Sequence, residues 1–349
     1  MMHMKIQRKT WWLIGASALL LTAVGFYAYH KFTEKYSKFS ERQTEAAYIY
    51  IDTDDTVDSV CTKLRPYSCE RSMNCLRSLM DDGKYQSQIR TGRYRIEPGK
   101  RIIDIYRMLK GGHQEPFMLT IPETRTMEQL ASRLSRKLML DSATIAQALT
   151  DSAFCQQQGY TLETIPCLFI PNTYEVYWDM SLDDLMKRMH KEYDAFWNSE
   201  RKAKAEALGL TPNEVQTLAS IVDEETANNP EKPTIAGLYL NRLKIGMLLQ
   251  ADPTVKFAMR DFTLKRILNA HLATDSPYNT YKYAGLPPGP IKVASIQGIN
   301  AVLSPEAHDY LYMCAKEDFS GTHNFAVTLQ EHMVNARRYQ QALNQRGIK

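Results

Sequence analysis

Apolar and polar positions change their spacing several times along the chain, and each change marks an element. From Trp11 to Tyr29, "WWLIGASALLLTAVGFYAY" runs 19 residues without a charge, enough for one membrane-spanning helix. Aromatic residues at both ends of the run (Trp11, Trp12, Tyr27, Tyr29) suit the two membrane interfaces. Residues 30–45, including "KFTEKYSKFSERQTE", are polar without an apolar stripe and read as a spacer. A looser pattern then recurs: a short β-type run, a polar or Pro-containing turn, and a helix with apolar residues three to four apart. "YIYIDTDDTVDSVCTKL" ends at Leu64, "GRYRIEPGKRIIDIYRML" at Leu109 and "FMLTIPETRTMEQLASRL" at Leu134. Between the first two, "CERSMNCLRSLMDDG" reads as a helix stopped by Gly83. The spacing predicts a strand–helix–helix–strand module over residues 46–113, bounded by "KGGHQEP".

Beyond it, residues 126–160 and 181–208 read mainly as helices, separated by the strand-like "CLFIPNTYEVYWDM" with its Pro-Asn turn. Helices continue through 213–248. Residues 271–296, "HLATDSPYNTYKYAGLPPGPIKVAS", are rich in Pro, Gly, Tyr and Asn and predict a long irregular loop, a kind of segment that is usually functional in a compact domain. A helix at 295–303, a strand at 310–315 ("YLYMCA") and a helix at 328–345 close the chain.

Composition sharpens this outline. At 349 residues and 44% apolar content the chain can bury a sizeable core and hold two or more domains. Its net charge of +4 is concentrated at the start: Lys5, Arg8, Lys9, Lys31, Lys35 and Lys38 face only Glu34 within the first forty residues, leaving the remainder about neutral. A nucleic-acid partner is therefore not expected, since it would place the excess on a folded domain. Lys5, Arg8 and Lys9 ahead of the apolar run favour a cytoplasmic N-terminus, against which Lys31, Lys35 and Lys38 stand on the far side. A cleaved signal peptide is the alternative, but no clear A-x-A site follows the run, and an uncleaved anchor over residues 11–29 is expected. The rest of the chain then lies outside the cytoplasm. Of the six cysteines, Cys155 and Cys167 are near neighbours in sequence and Cys61, Cys69 and Cys75 cluster; an oxidising compartment would permit a bridge in each group, and buried free thiols are the other reading.

The candidate chemistry lies in "LASIVDEETANN", where Asp223, Glu224 and Glu225 follow an apolar run. Thr211 at the N-cap, Pro212 at the first helical position and Glu214 three residues after the cap open a helix expected to reach about Asn228. Its apolar stripe is Val215, Leu218, Ile221 and Val222. At about 100° per residue, Glu225 falls about 50° from the stripe's centre, Asp223 about 110° and Glu224 about 150°. Glu224 should face water, Asp223 should sit on the flank, and Glu225 should be partly desolvated. Desolvation disfavours the anion and raises the pKa, as a general acid requires. The competing role for Glu225 is a structural ion pair with a cation such as Arg242.

The surrounding blocks then resemble a known family. "LASIVDEETANN", "IAGLYLNRLKIGMLLQADPTVKFAM", "YNTYKYAGLPPGPI" and "YLYMCAKEDFSGTHNFAVTLQEH" are similar, in order, to the signature blocks of the endolytic murein transglycosylases (MltG or YceG-like). "TGRYRIEPGKRIIDIYRMLKGG" looks like that family's LysM-like module, and "FIPNTYEVYWD" resembles its W/F-x-P-[DN]-T block. Two blocks depart from the pattern: an expected E-G reads "ETRT" at Glu123–Thr126, and the G-H-x-F block carries Thr322 between Gly321 and His323.

The resemblance implies an α+β chain: a single N-terminal transmembrane helix, a small LysM-like α/β module, then a mixed α+β catalytic domain over 114–349, its part 114–208 a helical linker and 209–349 the catalytic core. It implies cleavage of the β-1,4 bond between N-acetylmuramic acid and N-acetylglucosamine, with the sugar's C6 hydroxyl closing onto C1 to leave a 1,6-anhydro end. Glu225, preceding Thr226, matches the family's catalytic glutamate; one such residue can serve first as acid and then as base. Asn241, Gln250, Asp252, Thr254, Tyr278, Asn279, Thr280, His323 and Phe325 are the residues expected to line the saccharide cleft. No cofactor is expected, and zinc-type histidine spacing is absent. The implied partners are peptidoglycan strands and, at the membrane, peptidoglycan synthases; the implied place is the cytoplasmic (inner) membrane, single-pass, with the C-terminal domain on the periplasmic or extracytoplasmic side. Two other readings stay open: an inverting muramidase using Glu225 and Asp252, and a non-catalytic membrane-tethered scaffold that binds peptidoglycan.

Overall fold

The computed structural model describes residues 2–40, 43–264 and 266–347, and the side chains from Trp11 onward within them. Met1, residues 41 and 42 of the expected spacer, and the side chains of Lys5, Arg8 and Lys9 lie outside the described residues. The fold is mixed α+β, and the chain separates into two compact units, 1–117 with 175–179, and 118–174 with 180–349.

In the first unit, helix α1 (Met2–Glu34) contains the apolar run, and Trp11–Glu34 is long and apolar enough to cross a membrane, with mean hydropathy 1.6. Strand β1 (Ala47–Ile51) pairs antiparallel with β2 (Gly92–Ile96), Ile49 opposite Tyr94. β2 alternates along its length and β1 from Ile49 onward: Ile49, Ile51, Tyr94 and Ile96 point inward, while Tyr50 is exposed. Helices α2 (Val57–Leu64), α3 (Glu70–Asp82) and α4 (Ile102–Gly111) close a core on this face with Val60, Leu64, Leu76, Met80, Ile105 and Leu109.

The segment read as a spacer behaves differently. α1 runs on to Glu34, and the residues after it are bound to the module. Phe39 is buried in the module core, and its N–H donates to Lys100 O at 2.8 Å. Ile102 and Ile103, whose N–H groups have no partner within α4, donate instead to Ser37 O (3.0 Å) and Lys35 O (2.9 Å). One apolar side chain and the orphan donors of a helix start account for the docking, and a count of polar residues does not register either.

The second unit begins as β3 (Phe117–Thr120) leads into it, and β3 pairs with β4 (Thr173–Val176). The stretch expected to be helical over 126–160 is three short helices, α5 (Met127–Ser135), α6 (Ser142–Leu149) and α7 (Ser152–Gln157), each with a capping side chain: Thr126, Asp141 and Asp151. Next come α8 (Leu182–Phe196) and α9 (Ser199–Ala207). α10 (Pro212–Glu225) has the expected Thr211/Glu214 capping box and ends three residues before Asn228, because Thr226 turns extended. α11 (Lys232–Lys244) follows, then a short α12 (Asp252–Ala258) that the sequence reading did not foresee, and a single turn α13 (Asn269–Leu272). Residues 273–295 form neither helix nor strand. α14 (Ile296–Leu303) packs on α10 and α11, and a hairpin of β5 (Tyr312–Ala315) and β6 (His323–Ala326) carries α15 (Leu329–Gln345). Cys155 and Cys167 are buried free thiols, as are Cys61 and Cys75; no bridge forms in either group.

Candidate active site

α10 is buried all round: every residue from Val215 to Val222 is inside. A helix enclosed in this way leaves solvent access only at its ends, and Glu225 is its last helical residue, half-buried. The negative end of the helix dipole lies there, which disfavours a carboxylate.

The three acids have three different settings. Asp223, expected on the flank, has a side chain only 1% exposed. Lys232 Nζ donates to its Oδ1 at 2.7 Å, and Ser295 donates to it through both N–H and Oγ at 2.7 Å. Gly298 on α14 makes room for it; a Cβ there would meet Asp223 Oδ1 at 2.5 Å. Glu224, expected in water, is 17% exposed and pairs with Arg125 Nη2 at 2.6 Å and Lys292 Nζ at 3.8 Å. The wheel assumed one buried face, whereas α14 and the 291–295 segment cover a second.

Glu225 alone of the three makes no ion pair among the described residues. Its hydrogen bond comes from Tyr239 Oη, which donates to Oε1 at 2.7 Å from a fully buried position on α11. Burial is the main reason its pKa is raised from 4.5 to about 7; Asp252 adds to the rise, while Tyr239, His323 and Arg242 oppose it. Burial holds the Tyr239 phenol well above its ordinary value, so it remains a donor. Arg242, the alternative ion-pair partner, points elsewhere: Nε donates to Leu311 O (2.6 Å) and Nη1 to Leu249 O (2.6 Å). Its guanidinium thus ties the start of the hairpin to the loop before α12.

The remaining expected residues divide in two. Asp252 is exposed at the start of α12 and accepts from Tyr281 Oη at 2.6 Å. Gln250 is exposed with a left-handed φ of 50°, a strained backbone for a residue with a Cβ. His323 donates its backbone N–H to Glu231 Oε1 (2.7 Å) and its Nδ1 lies 3.0 Å from Glu231 Oε2. That carboxylate fixes the ring and leaves Nε2 without a hydrogen-bond partner among the described residues. Phe325 stacks on Tyr310 with ring centroids 5.5 Å apart. Asp252 and His323 are close enough to act on the charge of Glu225.

The others are turned to internal work. Thr254 and Thr280 are buried and share a hydroxyl contact of 2.8 Å, which clamps α12 to the irregular loop. Asn279 is buried and donates to Leu272 O and Thr274 O. Asn241 spends both amide hydrogens on His308 O and Tyr310 O. Tyr278 packs on Phe257, ring centroids 4.6 Å apart. Tyr239, Glu231 and Lys232 were missed by sequence reasoning, because a tyrosine on an apolar helix and charges beside Pro230 look like core and turn; Tyr281 was passed over in the irregular loop beside Tyr278, Asn279 and Thr280. Among the described residues no group of three His, Cys, Asp or Glu side chains is placed to hold a metal ion.

This arrangement can be set beside known proteins. The endolytic murein transglycosylase of Bacillus subtilis is 29% identical over 279 residues, covering 75% of this chain and 76% of its own. That of Streptococcus pneumoniae R6 is 26% identical over 329 residues, covering 85% of this chain and 59% of its own, so the chain spans about three-fifths of that relative. A crystal structure of a YceG-like protein from Listeria monocytogenes matches with a TM-score of 0.56 at 26% identity, over 84% of this chain and 99% of that one. The sequence profile of the YceG-like family matches residues 49–338, most of both units, and the chain belongs to that family.

Proposed function

We propose that the protein is a membrane-anchored endolytic lytic transglycosylase of peptidoglycan. It cleaves the bond between N-acetylmuramic acid and N-acetylglucosamine without water and leaves 1,6-anhydro ends. The observation that carries this reading is Glu225: half-buried at the end of α10, without an ion pair among the described residues, and raised to about 7 by burial. Such a group holds a proton near neutral pH and can release it to a leaving oxygen. As the anion it can then take the proton of the C6 hydroxyl, stabilised by the Tyr239 Oη bond. Asp252, Gln250, His323 and Phe325 would contact the glycan. Thr254, Thr280, Asn279, Asn241 and Tyr278 would act beneath the cleft, holding its loops in place.

On this reading α1 spans the cytoplasmic membrane through the 11–29 run, residues 1–10 are cytoplasmic, and both units work on the extracytoplasmic side. The part over 46–113 is the LysM-like module, 114–208 the linker part and 209–349 the catalytic core. The anchored placement suits action on nascent strands beside peptidoglycan synthases, terminating their growth. Mass spectrometry of glycan strands treated with the full-length chain, alongside Glu225→Gln, tests the reading. New 1,6-anhydro ends that vanish in the variant support it. Reducing ends would instead mean hydrolysis assisted by Asp252, and intact strands that remain bound would mean a scaffold.

A further inference from the structure

The first unit carries a groove of about 420 Å³ bordered by the end of β2, Lys100, the middle of α4 and residues 113–116. Its cations are loosely held. Arg95 Nε stands 3.7 Å from Glu97 Oε1 and Arg95 Nη1 3.5 Å from Glu115 Oε1; Lys100 Nζ stands 3.8 Å from Glu97 Oε2. These separations exceed the 2.7–2.9 Å typical of charge-assisted hydrogen bonds. Arg107 is exposed and makes no ion pair among the described residues.

Two atoms of the groove residues are buried with no hydrogen-bond partner, the donor Arg95 Nε and the acceptor Gln114 Oε1. Gln114 is not free to turn and satisfy itself. Its Nε2 donates to Asp179 Oδ1 at 2.8 Å, and its amide lies against Gly92, where a Cβ would meet Oε1 at 2.8 Å. Burying a polar atom unpaired costs about 1–3 kcal/mol, so an orphan donor beside a fixed orphan acceptor in one groove marks a place for a ligand.

The ligand's chemistry follows from what is missing. It brings negative charge for Arg95, Lys100 and Arg107, an acceptor for Nε, and an N–H for Oε1, in a groove that Glu97, Asp104 and Glu115 also line. Neutral sugars supply hydroxyls and no charge. A short peptide with free carboxylates supplies all three, and such peptides are attached to every muramic acid residue that retains its stem. We propose that this groove binds the carboxylate-bearing peptide stems of peptidoglycan, so that the first unit holds strands by their peptides rather than by their sugars. This rests on the peptidoglycan reading above and deepens it.

The test is calorimetric titration of the full-length chain in nanodiscs with the synthetic stem tetrapeptide L-Ala-γ-D-Glu-L-Lys-D-Ala. Tetra-N-acetylchitotetraose and inorganic phosphate serve as separate comparison ligands. The expected result is peptide binding that weakens about tenfold or more in Arg95→Gln, and also in Arg107→Gln, whose exposed side chain can change without disturbing the fold. No peptide binding, an unchanged affinity in Arg107→Gln with circular dichroism intact, or phosphate or chito-oligosaccharide binding as tightly as the peptide would each overturn it. Formation of 1,6-anhydro ends on peptide-free strands is measured in parallel. Peptide affinity lost in the variants while those ends still form upholds the groove. Peptide binding without any cleavage by the wild type upholds the groove and refutes the transglycosylase reading alone.

Discussion

Tyr239 Oη donates a 2.7 Å hydrogen bond to Glu225 Oε1 from inside the core, and the bond joins α11 to the last residue of α10. The bond favours the glutamate anion, while burial favours the neutral acid, and burial wins: the carboxyl titrates at about 7. A reaction that needs the acid form should lose rate as pH rises through about 7, with the slope of a single ionisation. Tyr239→Phe removes a bond to the anion and should move that limb upward by about one unit. An unmoved limb in the pH–rate profile would refute the assignment of Glu225 as the acid.

The same titration affects stability. Because the folded value of about 7 lies above the unfolded 4.5, Glu225 is tolerated in full below about pH 4.5, and that tolerance is lost as pH rises through 7. Glu225→Gln should therefore be more stable than the wild type at pH 8, by roughly 1–3 kcal/mol, and indistinguishable from it near pH 4. Urea unfolding at the two pH values measures the difference.

Asp252 raises the Glu225 pKa by its charge and is exposed beside Tyr281. Asp252→Asn should lower the alkaline limb, the opposite direction to Tyr239→Phe, while anhydro ends still form at a rate within about tenfold of the wild type. Complete loss of product would identify Asp252 as a second catalytic carboxylate.

Asp223 and Lys232 form a buried pair, completed by Ser295. Asp223→Ala leaves the ammonium buried without its partner and should cost about 3–5 kcal/mol in urea unfolding. A loss below about 1 kcal/mol would mean that Lys232 swings out to water.

Cys155 and Cys167 are free in the core. Thiol titration in denaturant without reductant should return all six cysteines of the chain, and dithiothreitol should leave the midpoint of thermal unfolding unchanged. A shift of several degrees would indicate a bridge.

Much of this was readable from the chain, for reasons that can be named. The Thr211–Pro212–Glu214 cap, the position of Glu225 near the stripe and the alternation of β1 and β2 are local patterns, and local patterns survive folding. Asp223 and Glu224 were misplaced because their settings depend on α14 and on Arg125 and Lys292, which come from distant parts of the sequence. Tyr239 was invisible for the opposite reason. On a helix whose other faces are core, a tyrosine is an ordinary apolar residue until its hydroxyl has a partner. Thr254, Thr280 and Asn279 belong to the blocks that resemble the family, and resemblance does not distinguish a residue that touches sugar from one that shapes the loop beneath it.

Phe39 in the module core, with Ser37 and Lys35 tied to the start of α4, leaves the end of α1 joined to the first unit without slack. A tether of that kind restricts where the unit can search. If α1 lies in the bilayer, the first unit diffuses as the helix does, in two dimensions and at one height. On the function proposed above, newly made strands would have to pass through its layer to be captured, and mature wall further out would stay beyond its reach.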